Sequence, residues 1–577
     1  MDNEKIWKLK EPGDINDVKH LSAELSVDMT IANLLAQREI RNFNDAKSFF
    51  RPRLADLHDP FLMKDMEKAV ERLKLAIDRQ EKVLIYGDYD VDGTTSVSLL
   101  YLFLKDKIKE LDYYIPDRYS EGYGISPKSI EYAADNHYTL VIVIDCGIKA
   151  VEKIAYARTR HLDYIICDHH NPGERIPDAY AVLDPKRPDC EYPFKDLSGC
   201  GVGYKYLMAY CIKYDEPIVQ LYDLLDLVVV SIASDIVPVI GENRVLAYYG
   251  LRKLNSNPSI GLKTLIRNSG ISGSEISVND IVFKIGPRLN AAGRIEHGEK
   301  SVELLVSQDE DKASDMGIQI NSFNEIRKSL DRDITHEALS QIANSERLLN
   351  KSSTVLYNRD WHKGVVGIVA SRVSDVYYKP TVILTESNGM ATGSARSIKN
   401  FDLYEAIDYC SDLLESYGGH MYAAGLTMKI ENIKAFEERF EDFVTRHLKK
   451  DQLIQTVDVD SKLQLSEITP KFVRLLKQFE PFGPHNMAPV FITEDVLDAG
   501  TSRVVGRNGE HLKLDLVEPN GSSKRFAGIA FSQSDKFPLI SKGTPFDVCF
   551  SITENVFRGR TSTQLMIRDI RERKSEE

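Results

Sequence analysis

The chain has 577 residues, a formal net charge of −13 and seven cysteines. A chain of this length exceeds the size at which one hydrophobic core keeps growing, so we expect roughly three or four domains. The odd number of cysteines and the lack of CxxC spacing argue against a disulfide framework and a structural zinc site. The acidic charge disfavours a nucleic-acid partner without excluding one, because a local basic channel can lie on an acidic protein.

The amino-terminal segment, MDNEKIWKLKEPGD, lacks the basic-then-apolar pattern of a secretory signal. No apolar run in the chain approaches the roughly 18 to 20 residues that span a bilayer. We therefore predict a cytoplasmic protein with no membrane partner.

From about Lys82 to Asp235 the chain alternates short apolar runs with amphipathic stretches, as in KVLIYGD, LVIVIDC, DYIICDHH and AVLDP. This alternation predicts parallel strands joined by helices, which form an α/β domain over residues 76–300 with a doubly wound, mostly parallel sheet. Residues 1–75 are predicted to be mostly helical and to pack on this domain.

Three further segments are predicted along the chain. Residues 301–350 are richly charged and contain no proline, which indicates a long connecting helix. Residues 351–452 begin with the strand STVLYN and the helix GVVGIVASRVSDVY, and they predict a second α/β domain. Residues 453–577 carry β-like runs separated by turn residues, a pattern that fits a small OB-like β-barrel.

Three aspartates, Asp88, Asp90 and Asp92, crowd the loop after the first apolar run, in VLIYGDYDVDG. Such carboxylates raise one another's pKa values and destabilise a fold unless a cation or hydrogen-bond donors lie nearby. Asp145 follows the apolar run VIVI, and the sequence DHH follows YIIC. In open parallel sheets the carboxyl ends of the strands form the ligand-binding crevice, so we expect these loops to meet.

Asp235 closes the run LDLVVVSIASD, for which we favour a helix. Several aspartates with one or two imidazoles are typical ligands of manganese or magnesium, and two such ions would suit the displacement of a phosphoryl group. A lone DxDG sequence also occurs in calcium loops, and a lone DHH sequence also caps helices. The four segments together, in this order, favour a metal centre.

These segments resemble the ordered motifs of the DHH phosphoesterase superfamily. The resemblance extends from about residue 50 to residue 570 and is to the RecJ family of single-strand-specific 5′ exonucleases. It is carried by the following stretches: PDRYSEGYG, LSGCGVGYK, GPRLNAAGRI, WHKGVVGIVASR, GSARS, YGGHMYAAG and PFGPHNMAPVF.

The resemblance implies a role for each motif residue. Asp90 would bind one metal ion, and Asp145 would bridge both ions. The ligands of the other ion would be Asp92, His169 and Asp235. His170 would face the scissile phosphate, Asp168 would orient the two histidines, and Asp88 would either complete the first metal shell or bind its waters.

A pocket for the 5′ phosphate is also implied, because arginine forks and a hydroxyl are suited to a doubly charged terminal phosphate. The matching positions are Arg118, Arg288 or Arg294, Ser394 and Arg396. Gly418 and Gly419 would allow close approach of the ligand backbone, and His420 would donate to a phosphate oxygen.

The carboxyl-terminal region interleaves basic and aromatic residues, as single-strand-binding grooves do. These residues are Arg503, Arg507, Lys513, Lys524, Arg525, Phe526, Phe531, Phe557, Arg558 and Arg560. The resemblance implies degradation of single-stranded DNA from its 5′ end to 5′ mononucleotides, in DNA repair and recombination. Single-strand-binding protein and a RecQ-type helicase are the partners it implies, and the absence of coiled-coil heptads predicts a monomer.

Two other classes of function stay open at this point. A DHH enzyme that acts on dinucleotides, cyclic dinucleotides or pyrophosphate would share the metal ligands but would need neither GPRLNAAGRI nor a nucleic-acid-binding module. A binding scaffold without activity would be expected to lack metal ligands, whereas every position is filled here. No GxxxxGK[ST] phosphate loop is present, which argues against a motor.

Overall fold

The computed structural model describes residues 5–271, 275–519, 524–557 and 560–573. The chain divides into two compact units: Ser322–Val457 with the segment that ends at Trp7 form one, and Lys8–Asn321 with Asp458–Glu577 form the other. Among the described residues, no helix combines the length and the apolar character that a membrane crossing requires.

The amino-terminal region is helical after one short strand. Its elements are β1 (Ile6–Leu9), α1 (Ile15–Leu25), α2 (Met29–Ala36), α3 (Phe43–Phe50) and α4 (Met66–Arg79). Buried apolar residues of α1 and α2, including Leu21 and Leu35, share one core with Phe472, Phe491 and Phe546 of the carboxyl-terminal region. We predicted that all of residues 1–75 pack on the parallel-sheet domain. The structure instead places α1–α3 on the carboxyl-terminal region, because their apolar faces are buried there.

The central domain contains a five-stranded sheet in the order β3-β2-β4-β5-β6, in which all neighbouring strands are parallel. Its elements are β2 (Val83–Gly87), α5 (Val91–Leu104), β3 (Leu111–Tyr114), α6 (Pro127–Asp135), β4 (Leu140–Ile144), α7 (Val151–Thr159), β5 (Asp163–Cys167) and β6 (Ala181–Leu183). The side chains of β2 and β4 are buried along their whole length, as expected for strands covered on both faces. The carboxyl ends of these strands carry the acidic motifs.

A set of helices completes this domain, and α4 packs against α8 and β6. The helices are α8 (Gly199–Lys213), α9 (Leu225–Ser234), α10 (Gly241–Ser256), α11 (Ile260–Asn268), α12 (Val278–Asp280), α13 (Gly286–Ile295) and α14 (Glu299–Val306), with a π-helical turn at Ile281–Ile285 before α13. The run that ends at Asp235 therefore forms a helix, α9.

The next region begins with a helix of 34 residues, Glu310–Ala343, which is α15. The following elements are α16 (Glu346–Asn350), β7 (Thr354–Tyr357), α17 (Val366–Tyr377), β8 (Thr381–Ser387), β9 (Met390–Arg396), α18 (Leu403–Asp408), β10 (Leu414–His420), β11 (Ala423–Met428) and α19 (Ile433–His447). The strands form a mixed sheet in the order β10-β11-β9-β8-β7.

The carboxyl-terminal region is a β-barrel. Its elements are β12 (Thr456–Val459), β13 (Ser461–Lys462), α20 (Pro470–Lys477), β14 (Phe491–Asp498), β15 (Arg503–Val505), β16 (His511–Val517), β17 (Phe526–Ala530), α21 (Phe537–Ile540), β18 (Phe546–Phe557) and β19 (Arg560–Glu572). The order β14-β18-β19-β17-β16 closes on itself because β14 also pairs with β16. Strand β12 pairs with β1 in a separate two-stranded sheet. The predicted fold class is confirmed: a parallel α/β domain, a second α/β domain and a terminal barrel.

Candidate metal centre and phosphate pocket

The first acidic motif lies where β2 ends and α5 begins. Asp88 is buried, and its Oδ1 has no hydrogen-bond partner among the residues that the structure describes. Asp90 caps α5 by accepting a 3.0 Å hydrogen bond from the Gly93 amide. Gly93 is required by close packing, since a Cβ there would lie 2.3 Å from the carbonyl oxygen of Asp88. This turn holds the two carboxylates beside each other in the crevice.

Asp145 follows β4 directly and has a φ of 63°, in the left-handed region that aspartate tolerates better than most residues. Its side chain is buried against the start of α8. A Cβ at Gly199 would lie 2.7 Å from the Asp145 carboxylate. The glycine therefore lets the helix terminus approach this carboxylate closely.

Asp168 is fully buried and organises both histidines of the DHH sequence. Its Oδ1 accepts hydrogen bonds from the His169 amide at 2.7 Å and from Nδ1 of His170 at 2.7 Å, while its Oδ2 accepts from the Ile148 amide at 2.8 Å. Burial by itself would raise the pKa of Asp168, but the bond from His170 and the histidine charges lower it to about 2. For His170, burial opposes the charge, yet the bond to Asp168 raises its pKa to about 9. The hydrogen bond to Asp168 therefore favours the protonated form of His170.

His169 points into the acidic cluster. Its Nε2 lies 3.1 Å from Oδ1 of Asp145, 3.7 Å from Oδ2 of Asp92 and 3.6 Å from Oδ2 of Asp235. The ring is buried, and within the described parts of the chain neither ring nitrogen has a hydrogen-bond partner. Burial lowers the pKa of His169, which favours the neutral imidazole that ligates metal ions.

The cluster separates into groups whose ligand atoms lie within 4.8 Å of one another. One group is Asp88, Asp90 and Asp145; another is Asp92, His169 and Asp235; a third combines Asp145 with both histidines. The structure therefore brings together all the residues predicted as metal ligands, and Asp88 lies with Asp90.

This cluster is electrostatically costly without a cation. Burial and then the neighbouring carboxylates raise the pKa values of Asp88, Asp90 and Asp145 above their ordinary range. Burial and then the charge of Asp92 raise the pKa of Asp235 to about 8. Crowded carboxylates, an unpartnered buried oxygen and an unpartnered neutral imidazole fit hard divalent ions of the manganese or magnesium type.

Asp92 is held by a set of donors that the sequence interpretation missed. Its Oδ1 accepts a 2.7 Å bond from Ser231 and a 2.9 Å bond from the Cys200 amide, and its Oδ2 accepts a 2.7 Å bond from the Gly199 amide. The hydroxyl oxygens of Ser231 and Ser198 lie 2.6 Å apart. The signal for Ser231 was its position one helical turn before Asp235, on the same helix face.

Tyr123 was also missed. It is exposed, and its hydroxyl lies 3.1 Å from Nε2 of His170. The sequence feature that could have indicated Tyr123 is EGYG, in which two glycines flank the tyrosine. In the structure both glycines have positive φ.

The three predicted arginines of this unit differ in their surroundings. The guanidinium of Arg118 lies over the ring of Tyr89, 4.0 Å from the ring centroid. Tyr89 stands between Asp88 and Asp90 in the sequence. The charge of Arg294 acts on the same tyrosine. Arg288 is buried, and its guanidinium donates to Asn321 and to the carbonyls of Lys284 and Asn268. These bonds hold the side chain within the helical packing, and its contact with a phosphate stays a prediction.

In the other compact unit, Ser394 and Arg396 lie on β9 beside the first turn of α17. Arg396 donates through Nη1 to Ser394 at 2.6 Å and through Nε to Ser371 at 3.1 Å. A Cβ at Gly367 would lie 3.0 Å from Nη2 of Arg396. The arginine and the helix start thus provide donors that suit an anion, while the hydroxyls of Ser394 and Ser371 donate to the carbonyls of Ala424 and Gly367.

Gly418, Gly419 and His420 occupy the end of β10 in the hairpin with β11 and are exposed. Gly419 has a φ of 151°, and a Cβ there would lie 2.3 Å from the carbonyl oxygen of Ala423. The absence of a side chain therefore serves strand pairing at this position. Nδ1 of His420 accepts from the Tyr422 amide, which leaves Nε2 as its outward ring nitrogen.

On the barrel, Arg503 and Lys513 are cross-strand neighbours, and the exposed ring of Phe531 lies 5.0 Å from the ring of His511 in an edge-on arrangement. The barrel therefore carries both basic and aromatic side chains, as the sequence predicts. Arg558, from the same predicted set, lies outside the described residues.

The fold and the acidic, histidine-bearing strand ends define the class as DHH phosphoesterases. Residues 82–232 match the DHH family, N-terminal domain; residues 350–446 match the DHHA1 domain; and residues 459–569 match the RecJ OB domain.

Similar proteins cover almost the whole chain. The single-stranded-DNA-specific exonuclease RecJ of Bacillus subtilis is 35% identical over 98% of this chain and 70% of its own length. The Escherichia coli protein of the same name is 30% identical over 96% of this chain and 98% of its length. The crystal structure of RecJ with Mn²⁺ from Thermus thermophilus superposes with a TM-score of 0.85, at 25% identity, over 100% of this chain and 81% of that one. The chain belongs to the RecJ family.

Proposed function

We propose that this protein is a metal-dependent exonuclease that degrades single-stranded DNA from its 5′ end and releases 5′ mononucleotides. Its RecJ relatives are single-stranded-DNA-specific exonucleases, and RecJ of Thermus thermophilus has been crystallised with Mn²⁺ and with Mg²⁺. The observation that carries the proposal is the pair of ligand groups around Asp145 and His169 at the ends of a parallel sheet.

Two divalent ions, when bound, supply a nucleophilic water at neutral pH and stabilise the charge on the phosphate oxygens. Asp88, Asp90 and Asp145 would hold one ion, and Asp92, His169 and Asp235 would hold the other, with Asp145 between them. This assignment is supported by the separation of these residues into two groups and by the unpartnered atoms of Asp88 and His169.

His170 would donate a hydrogen bond to a nonbridging oxygen of the scissile phosphate. Its support is the raised pKa of about 9, which keeps the ring protonated, and its partial exposure beside Tyr123. Asp168 would act by orientation, since its two oxygens bind His170 Nδ1 and three backbone amides rather than solvent.

The 5′ phosphate would be bound by Arg396, Ser394 and the start of α17. The support is the position of the Arg396 guanidinium beside the start of α17, where the lack of a side chain at Gly367 leaves the guanidinium accessible to close approach. Arg118, Arg288 or Arg294, and His420 are further proposed phosphate contacts; the guanidinium of Arg288 also donates to Asn321 and to the Lys284 carbonyl.

We also propose a cytoplasmic location, action as a monomer, and cooperation with single-strand-binding protein and a RecQ-type helicase in DNA repair and recombination. These proposals follow from family membership and from the charged, basic-aromatic barrel.

The test is degradation of a 5′-phosphorylated single strand and of the matching blunt duplex, each with Mn²⁺ and with EDTA. The single strand should disappear only with the metal, and the duplex should persist. Asp145→Asn tests the metal assignment, because asparagine tolerates the left-handed backbone of this position and should leave the fold intact. The activity of this variant should be at least about 100-fold lower than that of the unchanged protein. Equal cleavage of the duplex, or full activity of a folded Asp145→Asn variant, would contradict the proposal.

A further inference from the structure

A second basic site lies outside the acidic crevice. Residues of the α3 region and of α10 enclose a cleft of about 390 Å³ that is lined by Lys47, Arg51, Arg53 and Arg252 and by two tyrosines, Tyr248 and Tyr249. We call it the Tyr248 pocket. The four cations are notable in a chain whose net charge is −13, because they concentrate positive potential at one place.

Most of this positive charge is not neutralised by the protein. Arg53 is paired with Asp56, its Nη2 lying 2.6 Å from Oδ1. Among the described residues no carboxylate lies within ion-pairing distance of Lys47, Arg51 or Arg252. Arg51 donates to the Phe50 carbonyl and to Oε1 of Gln478, both of which are neutral.

The walls of the pocket are fixed by contacts between its two halves. The Tyr249 hydroxyl donates to the carbonyl of Pro52 at 3.2 Å, which ties α10 to the chain after α3. The Tyr248 and Tyr249 rings meet edge-on at 5.4 Å, and the Arg252 guanidinium lies 5.5 Å from the Tyr248 centroid. Both rings are half-buried, so each presents part of its surface to the cleft.

The chemistry of the pocket favours one occupant. All four cations are exposed at the edge of an open cleft, as in grooves that follow a nucleic-acid backbone, and the rings are available for stacking. A small metabolite would be expected in a more enclosed and more apolar cavity. An acidic peptide could use the cations but would leave the aromatic surfaces without a stacking partner.

The position of the pocket is compatible with a strand that also reaches the acidic crevice. Asp235 of the crevice precedes α10, which begins at Gly241. Tyr248 and Arg252 lie 7 and 11 residues after Gly241, so they lie about 10 to 17 Å along α10 from its first residue. We propose that the Tyr248 pocket is an auxiliary site that binds the phosphate backbone of the single-stranded substrate away from the cleaved end. This inference rests on the proposed function, since it assumes that the substrate is a single strand.

The test measures binding in EDTA, so that cleavage does not interfere. Fluorescence anisotropy is recorded for labelled single strands of 6 and 30 nucleotides with the unchanged protein and with the pocket variant Arg51→Gln/Arg252→Gln. The control variant is Lys19→Gln/Lys434→Gln, which removes the same amount of charge at exposed lysines outside the pocket. Lys47→Gln/Arg252→Gln serves as a second pocket variant that keeps the bond from Arg51 to Gln478. Melting temperatures verify folding.

Affinity of the pocket variants for the 30-mer should fall about tenfold, and the slope of log K against log salt should decrease by about 1.4, because two phosphate contacts are lost. The control should bind as the unchanged protein does, and metal-dependent cleavage of the 6-mer should persist in all variants. Equal losses in pocket variants and control, or unchanged binding of the 30-mer, would overturn the inference. So would a labelled hexaglutamate peptide or a free mononucleotide that binds the pocket while DNA binding is unaffected by the substitutions. Failure of the unchanged protein to cleave any single strand would instead contradict the proposed function.

Discussion

Ser231 Oγ donates a 2.7 Å hydrogen bond to Oδ1 of Asp92 and thereby ties the helix that ends beside Asp235 to the helix that carries Asp92. Asp92 is thus held by a buried hydroxyl from the helix that precedes Asp235, a residue of the same proposed metal group. With the amides of Gly199 and Cys200, this bond fixes the direction of the Asp92 carboxylate before any ion binds.

Ser231→Ala should weaken Mn²⁺ binding by about 10- to 100-fold, as is usual when a residue that orients a metal ligand is lost. Calorimetric titration with Mn²⁺ measures this directly. Ser98→Ala is the matched control, because that buried hydroxyl donates to the Thr94 carbonyl of its own helix and not to a proposed metal ligand. Unchanged Mn²⁺ affinity of Ser231→Ala would show that Asp92 does not need this donor.

Arg396→Ala should remove the preference for a 5′ phosphate more than it slows cleavage of a 5′-hydroxyl strand. A charge-assisted hydrogen bond is worth about 1.5 to 3 kcal/mol, so a loss of about tenfold or more on phosphorylated ends is expected. Initial rates on the two kinds of end give the ratio, with Arg332→Ala as a control at an exposed arginine of the same unit. Equal losses on both ends would contradict the phosphate role.

The metal-free protein should lose stability as the pH rises from 6 to 8.5. The folded pKa of Asp235 is raised to about 8, above the value of about 3.9 in an unfolded chain, so its protonated form stabilises the fold. This contribution is complete below the unfolded value and disappears as the pH rises through about 8. Thermal melting should therefore show a larger stabilisation by added divalent metal at pH 8.5 than at pH 6. A metal effect that is the same at both pH values would contradict this reasoning.

Arg244→Lys should destabilise the contact between α10, α3 and the segment that connects α20 to β14. The guanidinium donates to the carbonyls of Phe49, Phe479 and Glu480 and lies 3.8 Å from the Phe49 centroid. A lysine cannot reach all of these acceptors, and the cost of buried carbonyls left unpaired is about 3 kcal/mol or more. Urea unfolding followed by circular dichroism measures the loss, with Arg252→Lys on the same helix as control. An unchanged midpoint would contradict the assigned role.

The sequence was sufficient to predict the parallel sheet and the convergence of Asp90, Asp145 and His169, because strand periodicity and strand-end position are local properties. It was also sufficient for the helix before Asp235. The donors that hold Asp92 were harder to predict, since the Gly199 and Cys200 amides come from a helix start more than 100 residues away in the chain.

Long-range packing explains the remaining differences. The amino-terminal helices bury Leu21 and Leu35 against a barrel that lies more than 400 residues later, and nothing in their own amphipathic pattern specifies that partner. Arg288 lies in a motif that resembles a phosphate-binding sequence. Its side chain also donates to Asn321 and to the carbonyls of Lys284 and Asn268, acceptors that the sequence did not predict because the tertiary structure brings them together.

The most direct test of the central claim compares one single strand labelled at its 5′ end with the same strand labelled at its 3′ end, both incubated with the protein and Mn²⁺. Digestion from the 5′ end should release labelled mononucleotide at once from the first and give a descending ladder from the second. The reverse pattern, or no cleavage of the long strand together with hydrolysis of dinucleotides or cyclic dinucleotides, would contradict a 5′ exonuclease and would place the protein among the DHH enzymes that act on small substrates.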